Sequence, residues 1–320
     1  MVLNSNAGDR ALAISDGHAG NARQALALAS ALAPGAPREL LLAPRAPWRW
    51  LAPRRLPGDA AAFGDGFAGV LDAPPPLAVG CGRQAALATR ILRGRGARVV
   101  QVLDPRLAPR HWDVVVAPAH DGLAGPNVVT VTGSLHPVDE AWLRDGRDAF
   151  PGLGDLPGPR VAVLLGGPSR HAGLDVADFE DIASAVEAMA AREGGSVLLT
   201  TSRRTPAAVR QQAGARDWRV PAVAWTGGDR NPYAGMLGWA DRIACTADSV
   251  NMLSEACATR APVFVHRPGA LRGRPRRFLD ELLARGRVRP LTAAAPAFDA
   301  EPLRETARVA AEVRARLGLD

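Results

Sequence analysis

Short apolar runs alternate along this chain with longer stretches whose apolar residues recur every three or four positions. "RALAIS" (10–15) predicts a strand, and "GNARQALALASAL" (20–32) a helix behind a Gly-rich turn. "PLAVGCG" (76–82) and "RQAALATRIL" (83–92) repeat that pair, and "ARVVQVL" (97–103), "WDVVVAP" (112–118) and "NVVTVTG" (127–133) are further Val-rich strands. These runs are continuously apolar, not alternating. Such strands are buried on both faces, which points to a parallel sheet sandwiched between helices. The Pro- and Trp-rich stretch 44–76, with "APWRWLAPRRLP" and "APPP", is expected to be irregular.

"FPGLGDLPGPR" (150–160) is dense in Gly and Pro and reads as a linker. The pattern then restarts more cleanly: "RVAVLLGG", "SVLLTTS", "VPAVAW", "DRIACT" and "APVFVH" are strands, with helices between them such as "DVADFEDIASAVEAMAARE". The prediction is α/β: two Rossmann-like, doubly wound domains facing each other across a cleft, residues 1–155 and 156–300. A C-terminal helix in 301–320 would pack back across the domains through Leu303, Ala307, Ala310, Val313 and Leu317. Sheets of this kind bind ligands beyond the C-terminal ends of their strands, so those ends are where chemistry is sought.

Composition narrows the chemistry. With 320 residues and 47% hydrophobic positions the chain can build two real cores. Its formal charge is +7, and every basic residue is arginine. A phosphate loop of the Walker type needs lysine, as does Schiff-base chemistry, so both classes are excluded. Arginine forks suit phosphate and diphosphate. Aromatics at 5% and the absence of a recognisable nucleic-acid motif argue against nucleic acid as a partner. Cys81, Cys245 and Cys257 lie far apart, with no metal-binding spacing. No apolar run is long enough to span a bilayer, and "MVLNSNAGDRALAIS" lacks the basic start and apolar core of a signal peptide; a cytoplasmic location is expected.

Six strand ends carry candidate ligands, four in the second half and two in the first. "LLGGPSRHAG" offers Gly166 and Gly167, whose backbone could approach phosphate closely, with Ser169 beside them; an ordinary Gly-rich turn explains the same residues. "TTSRRTP" offers Arg203 and Arg204 as a diphosphate clamp, one of them functional in preference to both. "GGDRNPYAGMLGWAD" carries Asn231 and Tyr233, the one tyrosine of the chain, which either shape a base pocket or start a helix. In "TADSVNMLSEA", Asp248 or Ser249 caps a helix whose tip favours phosphate. Glu255 lies about 9 Å further along the axis, from the rise per residue, which is the span from a diphosphate to the ribose hydroxyls of one nucleotide. In the first half, "SDGHAGNARQ" places His18 in a Gly-rich strand-end loop, where it serves as a general base or as a structural hydrogen bonder. "APAHDGL" places His120 and Asp121 at another strand end, and His136 precedes a helix.

Taken together, "SDGHAGNARQ", "PAHDG", "LLGGPS", "TTSRRTP", "NPYAGMLGWAD" and "TADSVNMLSEA" resemble, in order and spacing, the bacterial relatives of the plant mitochondrial-fission Elm family. That family is similar to GT-B glycosyltransferases. The resemblance implies a nucleoside-diphosphate-sugar donor held in the C-terminal domain by Gly167, Ser169, Arg203, Ser249 and Glu255. It implies His18 as the base, in the manner of the loop histidine of the peptidoglycan N-acetylglucosaminyltransferase, or else His120 with Asp121. The donor is a substrate, and neither cofactor nor metal is expected, since arginines and a helix tip would steady the departing diphosphate. A GT-B nucleotide-sugar 2-epimerase is the alternative reaction, though the carboxylates on offer reduce to Asp16, Asp121 and Asp248. A non-catalytic fission-type scaffold is the other alternative. Its membrane contact, which would equally suit an enzyme with a lipid-linked acceptor at the inner face of a membrane, would be the segment 267–289, with eight arginines against one Asp and one Glu.

Overall fold

The computed structural model describes residues 11–33, 35–228 and 230–319. Arg10 of the first expected strand, the segment before it and Asp229 of the stretch 227–241 lie outside the described residues. Contacts divide the chain into two units, Met1–Pro137 with Glu305–Asp320, and Val138–Arg304.

The first unit runs β1 (Ala11–Ser15), α1 (Ala19–Leu32), β2 (Arg38–Leu41), α2 (Trp48–Leu51), α3 (Asp65–Asp72), β3 (Leu77–Cys81), α4 (Arg83–Arg93), β4 (Arg98–Val102), β5 (Val114–Pro118) and β6 (Val128–Val131). Its six strands form one parallel sheet in the order β2-β1-β3-β4-β5-β6. Every residue of β1, β3 and β5 is buried, as continuous apolar runs require. Ala11 and Ala13 join α1 and the C-terminal helix Thr306–Leu317 in one core, while Leu12 and Ile14 join α3 and α4 in the other. The pleat thus sends alternate side chains of one strand to opposite cores.

The second unit contains α5 (Glu140–Ala149), β7 (Arg160–Leu165), α6 (Val176–Glu193), β8 (Ser196–Thr201), α7 (Ala207–Ala215), β9 (Ala222–Trp225), α8 (Tyr233–Trp239), β10 (Arg242–Thr246), α9 (Val250–Cys257), β11 (Val263–His266), α10 (Arg274–Ala284) and β12 (Val288–Pro290). Its sheet is also parallel and six-stranded, in the order β12-β11-β10-β7-β8-β9. Helices α6 and α7 cover one face, and α8, α9 and α10 the other. Both units are Rossmann-like and doubly wound, as the apolar pattern predicts. In each, the strand order reverses at one point, between β1 and β3 and between β7 and β10.

Four local features differ from expectation. The division falls after Pro137, one helix upstream of residue 155, because α5 packs on α8 almost backbone to backbone: a Cβ on Gly146 would lie 2.5 Å from the Ala234 carbonyl oxygen, and one on Gly238 2.6 Å from that of Leu143. The Gly/Pro stretch 150–160 belongs to the same packing, with Trp239 Nε1 donating to the Phe150 carbonyl (3.1 Å) and Arg160 Nη2 to that of Gly154 (2.6 Å). The stretch 44–76 is partly helical through α2 and α3. The C-terminal helix lies on α1, β5 and β6 of the first unit, burying Val309, Ala310, Val313 and Leu317; Ala307 is exposed, and Leu303 remains in the second unit, its N–H bonded to the Cys257 carbonyl (2.8 Å).

Candidate functional site

The reversal point between β7 and β10 gathers three of the candidate loops in the second unit. Because β10, β7 and β8 are neighbours, residues 166–170, 202–205 and 247–249 emerge side by side at one strand edge. The loops are bonded to each other. Gly166 N–H donates to Thr246 Oγ1 (2.9 Å), and Gly167 N–H to Asp248 Oδ2 (2.8 Å). Ser202 Oγ donates to the Gly166 carbonyl (2.9 Å), which also accepts from Thr205 Oγ1. The two glycines have a steric reason: a Cβ on Gly166 would lie 2.2 Å from Asp248 Oδ2, and one on Gly167 2.3 Å from the Arg204 carbonyl oxygen. Their N–H groups serve the protein's own loops.

Asp248 holds a buried carboxylate, its side chain 1% exposed. Beyond the Gly167 bond, Arg204 Nη2 lies 3.5 Å from Oδ2, while Oδ1 has no hydrogen-bond partner. Arg204 is thereby held against a carboxylate, while the exposed Arg203 is a guanidinium available to an anion at this edge. Ser249 caps α9 by accepting from Met252 N–H (3.4 Å). Ser169 is committed to its own turn, accepting from the N–H groups of His171 and Ala172.

Glu255 sits on α9 and is 3% exposed. Tyr233, the first residue of α8, donates its hydroxyl to Glu255 Oε2 at 2.6 Å. Asn231 shapes the start of that helix, its Oδ1 accepting from Tyr233 N–H (3.0 Å). The stretch 231–233 therefore meets 248–255 through one charge-assisted bond, which spacing alone did not reveal.

The first unit has its own reversal point, where the β1 and β3 loops adjoin. His18 caps the start of α1 with its side chain 81% exposed, and its Nδ1 lies 3.1 Å from Asp16 Oδ1. That oxygen also accepts from His18 N–H (3.2 Å) and Asn21 Nδ2 (3.0 Å). The geometry orients the imidazole with Nδ1 toward the carboxylate and Nε2 outward, the arrangement of a general base steadied by an acid. A Cβ on Gly82, after β3, would come 2.5 Å from Asn21 Nδ2, so this glycine admits the Asn21 side chain. Cys81 is buried, and desolvation first, Asp16 second, push its thiol pKa well up, which keeps it inert.

His120 and Asp121 lie in a short 3-10 turn (Ala119–Asp121) after β5. Strand β5 is three places from β1, so this pair is about 14 Å from the His18 loop at an inter-strand spacing of about 4.8 Å. The two histidines do not form one cluster. His136 is bonded through its backbone to Thr306 at the start of the C-terminal helix (2.8 and 3.2 Å), a structural position. Thr246, Ser202, Thr205 and Asn21 are the residues that sequence reasoning passed over. Their only signal was a short polar side chain at a strand end or in the turn or first helical turn that follows it.

In the segment 267–289, Arg267 bonds Asp178 and Asp181, Arg276 bonds Asp280, Arg285 bonds Glu281, and Arg287 is buried against the carbonyls of Ala256, Cys257, Thr259 and Ala261. Much of its charge is internally satisfied. Among the described residues no group of three or more His, Cys, Asp or Glu is placed to hold a metal, and no helix is long and apolar enough to cross a membrane.

The family model described as Mitochondrial fission ELM1 matches residues 19–317. The Arabidopsis thaliana mitochondrial fission protein ELM1 is 32% identical over 277 residues, covering 76% of this chain and 64% of that protein, so the chain spans a little under two thirds of this relative's length. Among solved structures, the UDP-GlcNAc 2-epimerase of Methanocaldococcus jannaschii superposes with a TM-score of 0.56 at 12% identity, covering 96% of this chain and 99% of that one. Acinetobacter baumannii MurG gives 0.51 at 13% identity, covering 97% and 91%. At such identities these likenesses establish the GT-B fold alone. The family match covers nearly the whole chain: this protein belongs to the mitochondrial fission ELM1 family.

Proposed function

We propose that the protein is a metal-independent glycosyltransferase that takes its sugar from a nucleoside diphosphate. The observation that carries the reading is the convergence of Arg203, Arg204, Ser249 and the tip of α9 at the reversal point of the second sheet, with Tyr233 and Glu255 on the adjoining helices. That is where open α/β sheets hold ligands. Arg203 and the partial positive charge of the α9 tip would steady the diphosphate, and Glu255 would accept the ribose hydroxyls once Tyr233 shifts its bond. In the first unit, His18 Nε2 would take the proton of the acceptor hydroxyl. The acceptor oxygen then forms the new bond to the anomeric carbon, and the nucleoside diphosphate leaves with the electron pair of the broken bond. His120 with Asp121 is the other base to test. The fold likeness to a UDP-GlcNAc 2-epimerase makes uracil the first base to try. Three free, buried cysteines accord with a reducing, cytoplasmic setting.

Titration calorimetry with UDP and UDP-N-acetylglucosamine tests the donor site. Binding by the wild type, lost in Glu255→Ala and weakened in Arg203→Gln, is the expected result; a wild type that binds no nucleotide or nucleotide sugar sinks the reading. The unpartnered buried oxygen of Asp248 favours one other reaction, epimerisation, in which a carboxylate moves a proton on the sugar. Incubation with UDP-N-acetylglucosamine and no acceptor separates the two, because only epimerisation proceeds without one.

A further inference from the structure

Large apolar side chains are exposed at five positions among the described residues, and three of them, Leu41 (67%), Trp50 (62%) and Leu51 (40%), fall within one short segment of the first unit. The segment is firmly built. Leu42 N–H donates to the Ser15 carbonyl (2.9 Å), Ala52 N–H to that of Trp48 (2.9 Å), and Arg45 N–H to that of Ala62 (2.8 Å). Arg83, at the start of α4, donates to the carbonyls of Trp50 (2.8 Å) and Arg49 (3.1 Å), and Gln84 Nε2 also reaches that of Arg49 (2.8 Å). Trp50 and Leu51 are thus displayed outward on an ordered turn whose backbone faces inward. The upstream part of the segment lines a cavity of about 360 Å³, with Leu41, Ala43, Arg45, Phe63, Asp65 and Phe67 among its walls.

Within the segment itself the charge has one sign, with the exposed Glu39 and Asp65 flanking it. Between residues 40 and 58 there are four arginines, Arg45, Arg49, Arg54 and Arg55, and no carboxylate. Arg55 is satisfied by Asp59 (2.6 Å), and Arg45 lies 3.9 Å from the exposed Asp65. Arg49 rests over the Trp50 ring at 5.5 Å, and Arg54 is exposed. An amphipathic tryptophan beside aliphatic side chains and flanking arginines is the composition that settles at the boundary between lipid headgroups and acyl chains. The guanidiniums would meet phosphate while Trp50, Leu51 and Leu41 enter the acyl boundary. A second copy of the chain fits less well, since a two-fold interface would set these arginines against their own images. The segment 267–289 has the arginines, but it has no exposed large apolar side chain and many of its guanidiniums are already bonded.

We propose that the segment 41–54, which exposes Trp50 and Leu51 beside Arg49 and Arg54 and Leu41 upstream of them, docks the protein on an anionic phospholipid surface. Its Leu41 end adjoins the His18 loop, for a Cβ on Gly17 would lie 2.9 Å from Leu41 Cδ1. An acceptor carried by a lipid would then be presented beside His18; this consequence, unlike the docking itself, rests on the glycosyl-transfer reading.

Co-sedimentation with vesicles of phosphatidylcholine alone, and of phosphatidylcholine with phosphatidylglycerol, tests the docking without reference to activity. The wild type is expected to sediment with the anionic vesicles, less so as salt rises. Trp50→Ser with Leu51→Ser should lower the partition coefficient roughly tenfold or more, from the apolar area withdrawn, and Arg49→Gln with Arg54→Gln should flatten the salt dependence. Arg272→Gln with Arg277→Gln, in the other basic segment, should bind as the wild type does. Trp50→Phe, which preserves the turn, should abolish the blue shift of tryptophan emission seen on adding anionic vesicles. The proposal is overturned by a wild type that stays in the supernatant with anionic vesicles at low salt, by Trp50→Ser/Leu51→Ser binding undiminished, or by a Trp50-dependent dimer in sedimentation velocity with no vesicle binding. Nucleotide calorimetry on the same preparations reads the donor site separately, so either conclusion can fail while the other stands.

Discussion

Asp248 Oδ2 accepts the N–H of Gly167 at 2.8 Å, a bond that ties the loop after β10 to the loop after β7 across the reversal point of the second sheet. It forces Gly166 to be glycine, because the carboxylate occupies the space a Cβ would take. Gly166→Ala is expected to lower stability by roughly 1–3 kcal/mol, the usual cost of overpacking a tight site. Thermal denaturation reads this. Gly173→Ala, where an added Cβ meets nothing within 4 Å, is the control and should leave the midpoint nearly unchanged.

Tyr233 and Glu255 form the second link across this edge, at 2.6 Å. Tyr233→Phe removes a hydrogen bond to a carboxylate that is 3% exposed. A loss of about 1.5–3 kcal/mol in urea unfolding is expected, the range for a bond to a charged group. Glu255→Gln should cost less, since the amide oxygen can still accept from the tyrosine hydroxyl. Equal costs for the two variants would show that the bond does not form.

The three cysteines should be silent in the native protein. Burial pushes Cys81 and Cys245 well up and Cys257 to about 12, so the thiolate that reacts is scarce in each. Ellman's reagent at pH 8 should label none of them quickly in buffer and all three in denaturant. Rapid labelling of any one in the native state would contradict the burial.

His266 gives the fold a pH dependence of known sign. Desolvation first lowers its pKa below the ordinary histidine value, against the opposing pull of Asp178 at 3.4 Å, while Arg267 adds to the lowering. The unfolded chain then binds a proton that the folded one resists. The stabilisation is complete above the unfolded pKa of about 6.5 and declines as pH falls toward the folded value. Urea midpoints should drop between pH 7 and pH 5.5, and His266→Gln should flatten that part of the curve.

Much of the architecture was legible in the pattern of the chain. Apolar runs such as 112–118 and 160–167 must be buried on both faces, and that alone leads to parallel sheets between helices. Strands β2 and β12 escaped notice because they are edge strands, short and largely exposed, and the apolar residues of each are too few or too close to Pro to stand out as a strand. The Gly/Pro density at 150–160 reads as a linker. A glycine serves a hinge and a close contact equally well in sequence, and here Gly154 makes room for Trp239.

The residue types needed for phosphate and ribose chemistry, and their positions just past strands, could be read from local order, as could membership of the ELM1 family. Their partners could not. That Asp248 holds Gly167 and Arg204, that Tyr233 reaches Glu255, and that His120 lies three strands from His18 all depend on strand order. Strand order is set by which helices cover which face of each sheet, an outcome of long-range burial that no local run of residues encodes. The same holds for the exposed Trp50: its polarity pattern resembles that of a core residue, and only the packing around it turns it outward.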